Sequence, residues 1–179
     1  MKRYIAAGVI LIAFSCTNAE KTSKVASDST VAVAQESGTA EIELKDTKVQ
    51  SIYDGYILLK NALVATEFEA AKTAAATLKI SLEGYKGCEN TALLAGKIAG
   101  AKDIAAQRKE FTSLSSDVIA LFKHADLKKG AIYVQRCPMA NDGDGGEWLA
   151  SEKKIQNPYY GDEMMECGAV IDEIKTAAQ

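Results

Sequence analysis

The sequence predicts an all-α protein, an antiparallel bundle of two long helices plus a C-terminal helix, with one irregular subregion rich in cysteine, methionine and aromatic residues. Apolar residues recur every three or four positions from Val49 to Leu78 and again from Leu94 to Phe122. That spacing is typical of a helix with one buried face. Both prolines, Pro138 and Pro158, lie beyond these patterns.

The first 16 residues are typical of an export signal. Lys2 and Arg3 precede an apolar run that is too short to span a bilayer, which takes about 20 residues. The run ends in Ala13-Phe14-Ser15-Cys16, which resembles the lipobox of bacterial lipoproteins. We therefore expect a lipid anchor on Cys16, with an ordinary secretory signal as the alternative. Either reading places the chain outside the cytoplasm. With the lipid, we expect it in the cell envelope, on the periplasmic side or at the cell surface, at the outer rather than the inner membrane.

Residues 17–47 are predicted to be a flexible tether. They are mostly Ser, Thr, Ala, Glu and Lys, with few large apolar side chains. Such a segment cannot bury enough surface to offset the entropy of ordering it. A short strand near Ala40 to Leu44 is the alternative. The folded domain is then expected over residues 48–179.

The two long patterns predict helices with a glycine-containing loop between them. Gly84 and Gly87 end the first helix, and the second stops near Gly130. Helices of this length joined by a short loop pack antiparallel, and their many alanines allow a close approach.

The C-terminal region changes character. We expect an extended segment over Ala131 to Cys137, because Ile132, Tyr133 and Val134 favour strands. Glu147 to Lys154 is expected to form a helical turn or two. A last helix is expected from Asp162, an acceptable N-cap, to about Ala177.

Composition narrows the class of function. The formal net charge is −3 and no cluster of Lys and Arg is present, so we do not expect a nucleic-acid partner, which requires basic residues on one face. No local signature of a nucleophile with its base is present either. We therefore expect a protein that is not an enzyme.

The irregular subregion, residues 133–168, concentrates sulfur. Cys137 and Met139 alternate, so in an extended segment they point the same way. Met164 and Cys167 share one side of the predicted last helix with Ile171 and Ile174. Two thiolates and two thioethers are soft ligands that select Cu(I). A disulfide between Cys137 and Cys167, the ordinary outcome in an exported protein, and plain core packing remain open alternatives.

Cys88 makes the number of free thiols odd. With Cys16 lipidated, the chain keeps three thiols, so at least one is unpaired, metal-bound or shared with a partner. Its predicted position in the loop between the two long helices suggests a partly exposed thiol.

The same subregion resembles a known family. The resemblance is carried by Arg136-Cys137-Pro138-Met139-Ala140, Gly146, Trp148-Leu149, Ile155, Asn157-Pro158-Tyr159-Tyr160-Gly161, Met164 and Cys167-Gly168. It extends back through Leu59-Lys60-Asn61-Ala62-Leu63-Val64 and covers roughly residues 48 to 177. On these residues the chain resembles the DUF3347 family, which consists of exported helical domains found as small lipoproteins and appended to periplasmic adaptor subunits of heavy-metal efflux systems.

The resemblance implies a role in copper or heavy-metal handling outside the cytoplasm. Its ligand candidates here are Cys137, Met139, Met164 and Cys167, with Cu(I) as the expected ion and a membrane, an efflux adaptor or another envelope protein as partners. The domain would act as a metal sink or as a relay towards an efflux complex. The alternative is a non-catalytic, disulfide-stapled interaction module that docks on an envelope or transporter partner. Trp148, Pro158, Tyr159 and Tyr160 are assigned to packing and turn geometry around the site.

Overall fold

The fold is mixed α and β, so the all-α prediction is wrong. The computed structural model describes residues 41–176. The predicted signal over residues 1–16 with Cys16, most of the predicted tether and Ala177 lie outside the described residues. The described part contains four α-helices and two antiparallel sheets. None of its helices has the length and apolar character needed to cross a membrane.

Each long helix of the prediction is two helices. The helices are α1 (Thr47–Val64), α2 (Phe68–Glu83), α3 (Glu89–Ala99) and α4 (Ile104–Phe122). The Asp46 carboxylate caps α1 by accepting from the backbone N–H of Lys48 at 2.7 Å, and Asp103 caps α4 in the same way. Each helix packs on the next along the chain.

The break between α1 and α2 is a tight turn at Thr66. This residue has a φ of 59°, a left-handed conformation that a helix cannot contain. The turn reverses the chain and lets α2 pack on α1 with Gly55 at the closest approach, where an added Cβ would stand 3.3 Å from the Cα of Leu78. Ala71 and Ala75 are fully buried, whereas Ala70 is exposed, so one straight helix from Val49 to Leu78 does not describe the buried face of α2.

Five strands form the two sheets. In chain order they are β1 (Glu43–Leu44), β2 (Leu127–Lys129), β3 (Ala131–Cys137), β4 (Gly146–Ala150) and β5 (Ala169–Lys175). β1 pairs with β2, and the larger sheet has the order β4-β3-β5. The extended segment predicted over Ala131 to Cys137 is confirmed. β1 lies inside the predicted tether, at the strand given as its alternative, with Leu44 only 4% exposed.

Two C-terminal predictions fail for the same reason. The helical turns expected at Glu147 to Lys154 overlap β4, and the helix expected from Asp162 to Ala177 is a short turn followed by β5. Both strands are held by β3, which lies between them. Hydrogen bonds to another strand therefore decide these conformations, and local periodicity does not report them.

A chain of hydrogen bonds joins the helices to the larger sheet. The Ser115 hydroxyl donates to the carbonyl of Glu147 at 2.8 Å, so the Tyr56 hydroxyl, 2.6 Å away, donates to Ser115. The backbone N–H of Leu149 in turn donates to the Tyr56 oxygen. This buried network fixes β4 on α1 and α4 and, through β4, positions the remainder of the sheet.

Lys60 is a buried charge in α1. It is only 3% exposed, and its ammonium has no ion pair within 4 Å among the described residues. Burial lowers the pKa of Lys60 to about 8, against an opposing effect of Glu152. Between that value and the ordinary lysine pKa near 10.5, the unfolded chain binds more protons than the folded one, so stability rises with pH in this window.

Replacing Lys60 by methionine should stabilise the protein at pH 7 by about 2 kcal/mol, because the cost of burying the ammonium disappears. Urea unfolding measured from pH 7 to 10 should show a rise in the parent protein that the variant lacks. Lys102→Met, at an exposed position, is the matched control and should keep the rise. A parent stability that is flat across this range would contradict the assignment.

Candidate sulfur site

The larger sheet brings Cys137 and Cys167 together. Cys137 is the last residue of β3, and Cys167 lies two residues before β5. Because Arg136 pairs with Ala169, the two cysteines meet at the end of the β3–β5 ladder. Their Sγ atoms are 2.7 Å apart. The two cysteines therefore come together, although a strand rather than a helix follows Cys167.

The two cysteines differ in exposure. Cys137 is fully buried, at 0% exposed, and Cys167 is half-buried. The hydrogen bond with the Cys137 thiol, followed by burial, raises the pKa of Cys167. The backbone N–H of Met139 acts in the opposite direction on the same pKa. Cys167 therefore holds its proton near neutral pH and releases it to a competing ligand.

The two methionines differ from the prediction in their exposure and in the elements that carry them. Met139 is 55% exposed, because Pro138 ends the strand and the alternation with Cys137 does not continue past it. The Tyr160 hydroxyl donates to the Met139 carbonyl at 2.6 Å. Met164 is half-buried, and its carbonyl accepts from the backbone N–H of Cys167 at 3.1 Å. It is not on a helix with Cys167, as the sequence had suggested.

Asn157 fixes the loop that carries Cys167, a role that the sequence reading did not assign. It is fully buried, and its amide nitrogen donates to the Cys167 carbonyl at 2.9 Å. Its side-chain oxygen accepts from the backbone N–H of Tyr159 at 2.8 Å. The sequence does indicate this role of Asn157, because asparagine before proline is typical of a turn that the asparagine side chain holds.

The aromatic residues assigned to packing do pack around the pair. Trp148 is fully buried and Tyr159 nearly so, with their ring centroids 6.1 Å apart. Tyr159 in turn lies against Phe111 of α4. Gly168 has a φ of 146°, and a Cβ there would stand 3.0 Å from the Trp148 ring. The Trp148 ring therefore lies directly beside the residue that follows Cys167.

Arg108 anchors the loop over residues 151–168 at Pro158. Its guanidinium donates to the carbonyls of Pro158 and Leu63, each at 3.0 Å, and to the hydroxyl of Thr66. Gly161, with a φ of 55°, passes so close that a Cβ would stand 2.6 Å from this guanidinium. The loop over residues 151–168 is thus fixed to the turn between α1 and α2, far from Cys167 in sequence.

Cys88 does not join this site. It precedes α3 and is only 7% exposed, so the partly exposed loop thiol suggested by the sequence is wrong. Burial raises the pKa of Cys88. The predicted loop at residues 84–88 places Cys88 against the core, where it packs as a small apolar side chain.

The described residues contain no group of three or more His, Cys, Asp and Glu side chains suited to one metal ion. The donors that the fold does bring together are the two cysteine sulfurs. Two thiolates form a low-coordinate soft site, whereas structural zinc takes four ligands.

Comparison with known proteins identifies the helical body. Residues 52–130 match the family described as "Protein of unknown function (DUF3347)". No curated protein and no solved structure matches the chain. The matched region runs from α1 to the residue before β3, so Cys137, Met139, Met164 and Cys167 lie outside it. The expected resemblance to the DUF3347 family, whose function is unknown, is therefore confirmed over residues 52–130.

Proposed function

We propose that this domain binds Cu(I), or a similar soft ion, between the thiolates of Cys137 and Cys167, and acts as a sink or relay in metal tolerance or efflux. The observation that carries the proposal is the 2.7 Å separation of the two Sγ atoms at the end of the sheet. Thiolates are the ligands that select Cu(I) over harder divalent ions.

The ion requires a small movement of one sulfur. With metal–sulfur bonds of about 2.3 Å, as found for zinc, two sulfurs on one ion stand roughly 4 to 4.5 Å apart. Cys137 is fixed within β3, while Cys167 lies in the loop before β5. We therefore assign the movement to the side chain of Cys167, which is half-buried, whereas that of Cys137 is fully buried. Because its pKa is raised by Cys137, binding must displace protons and should weaken as the pH falls.

Met139 and Met164 are proposed as supplementary thioether ligands. The backbone carbonyls of both methionines accept hydrogen bonds from the loop that carries Cys167. Met139 accepts from the hydroxyl of Tyr160, and Met164 accepts from the backbone N–H of Cys167. Thioethers bind soft metals without losing a proton and do not form disulfides. They would therefore help to hold the ion when few of the cysteines are in the thiolate form.

The test is a titration of the reduced full chain with Cu(I), under nitrogen, in competition with a chromophoric Cu(I) chelator. We expect tight 1:1 binding that the Cys137→Ser, Cys167→Ser double variant loses by at least about 100-fold. Cys88→Ala is the control, because that thiol is buried elsewhere, and it should bind as the parent does. Retained affinity in the double variant would refute the proposed site.

Replacing Met139 and Met164 by leucine tests the thioethers separately. Leucine is close in volume, so stability should change by less than about 1.5 kcal/mol, while Cu(I) affinity should fall by about 10-fold. Met165→Leu is the matched control, since Met165 is equally half-buried and adjoins Met164. An unchanged affinity in the double variant would leave the site with two ligands.

A disulfide-stapled interaction module is the second candidate, favoured by the same sulfur contact. In that case the pair is oxidised in the cell and the exposed apolar side chains of Met139, Val170 and Ile171 would contribute to docking on an envelope or transporter partner. Alkylation of protein taken directly from the envelope, followed by mass measurement, separates the two. A Cys137–Cys167 crosslink together with no Cu(I) binding after reduction would favour the staple.

We also propose that the domain is held at the cell envelope through a lipid on Cys16. The support is the amino-acid pattern of residues 1–16. Cell fractionation should find the parent with the membranes and a Cys16→Ser variant released from them. A parent chain found in the cytoplasmic fraction would contradict this placement.

A further inference from the structure

We infer that Cys167 is the exchange sulfur of the pair, the site at which small-molecule disulfides form a mixed disulfide with the protein, and that Cys137 is the resolving thiol. The inference concerns the same two sulfurs as the proposed metal site. It does not require that a metal ion binds there.

Access to the two sulfurs is unequal. Cys137 is fully buried in the core cluster, and the strand register places it opposite Gly146, a position crowded by the Tyr159 ring. Cys167 is only partly buried. A reagent that arrives from solvent therefore meets the sulfur of Cys167 first, and access is one of the factors that decide which sulfur of a pair reacts.

The backbone presents Cys167 in a fixed direction. Its N–H donates to the Met164 carbonyl at 3.1 Å, and its carbonyl accepts from the Asn157 amide at 2.9 Å. These two hydrogen bonds hold the backbone of Cys167 in place, with its sulfur in contact with that of Cys137.

The exchange proceeds in two balanced steps with a disulfide RSSR as the oxidant. The Cys167 thiolate attacks one sulfur of RSSR, the S–S bond of the reagent breaks, and one RS⁻ leaves and takes up a proton. The Cys137 thiolate then attacks the Cys167 sulfur, 2.7 Å away before the reaction. This forms the Cys137–Cys167 bond and releases the second RSH. Two cysteines are oxidised, and one disulfide is reduced to two thiols.

The test uses the reduced, metal-free full chain with 2-hydroxyethyl disulfide at pH 8.5, a neutral reagent that surface charge does not steer. Acid-quenched samples are digested and the adducts are located by mass spectrometry. In the Cys137→Ser variant the mixed disulfide should accumulate on Cys167, because no resolving thiol remains. In the Cys167→Ser variant, Cys137 should react at least 10-fold more slowly, and at an ordinary rate once the chain is unfolded in guanidinium.

A second measurement needs no variant. Brief exposure of the parent chain to a limiting amount of iodoacetamide should alkylate Cys167 at least 10-fold more than Cys137. Equal labelling of the two cysteines, preferential labelling of Cys137, or no adduct at Cys167 in the folded chain would each overturn the inference. Failure of Cu(I) binding together with selective labelling of Cys167 would remove the proposed function and leave this inference standing.

Discussion

Oxidation of Cys137 and Cys167 to a disulfide is expected to raise the free energy of unfolding by about 3 to 4 kcal/mol, the value that chain-entropy arguments give for a closed loop of roughly 30 residues. The fold supports the bond because β3 and β5 already hold the two cysteines together through the pairing of Arg136 with Ala169. The same oxidation removes both thiolates and should abolish Cu(I) binding.

Guanidinium unfolding of the oxidised and reduced chain checks the stability, with the Cys137→Ser variant as the control that should not respond to oxidant. The metal titration repeated on the oxidised chain checks the second part. An oxidised protein no more stable than the reduced one, or one that still binds Cu(I) tightly, would contradict this account of the pair.

Trp148→Ala is expected to cost about 4 kcal/mol, because it removes a fully buried indole and leaves a cavity. The ring lies between Tyr159 and Gly168, so the cavity would open directly beside Cys167. We therefore also expect slower formation of the Cys137–Cys167 disulfide in this variant, since the loop loses the surface that holds it against β4.

Two further variants serve as controls for Trp148→Ala. Trp148→Phe should cost only about 1 to 2 kcal/mol, since a ring remains and the indole nitrogen that it removes has no hydrogen-bond partner among the described residues. Leu93→Ala, at a side chain that is 64% exposed, should change stability by less than about 0.5 kcal/mol. Equal costs for Trp148→Ala and Leu93→Ala would mean that Trp148 does not support the site.

Residues 137–167 illustrate why the candidate site was only partly predictable. The concentration of cysteine and methionine was visible in the sequence, and the meeting of Cys137 with Cys167 followed correctly. The element after Cys167 did not, because the spacing of Met164, Cys167, Ile171 and Ile174 fits a helix as well as it fits a loop followed by a strand. Only the pairing of Ile174 with Ile132 and of Val170 with Gln135 selects the strand.

The sequence by itself determined which of the large apolar residues of the helices are mostly buried and where β3 runs, because burial of one face imposes a repeat that the amino acids carry locally. The tertiary structure alone decided the reversal at Thr66, the burial of Cys88 and the choice of strand over helix for β5. In each case contacts between residues distant in sequence outweigh a local preference of at most about 1 kcal/mol per residue. The same long-range pairing sets Cys137 inside the core and leaves Cys167 within reach of solvent.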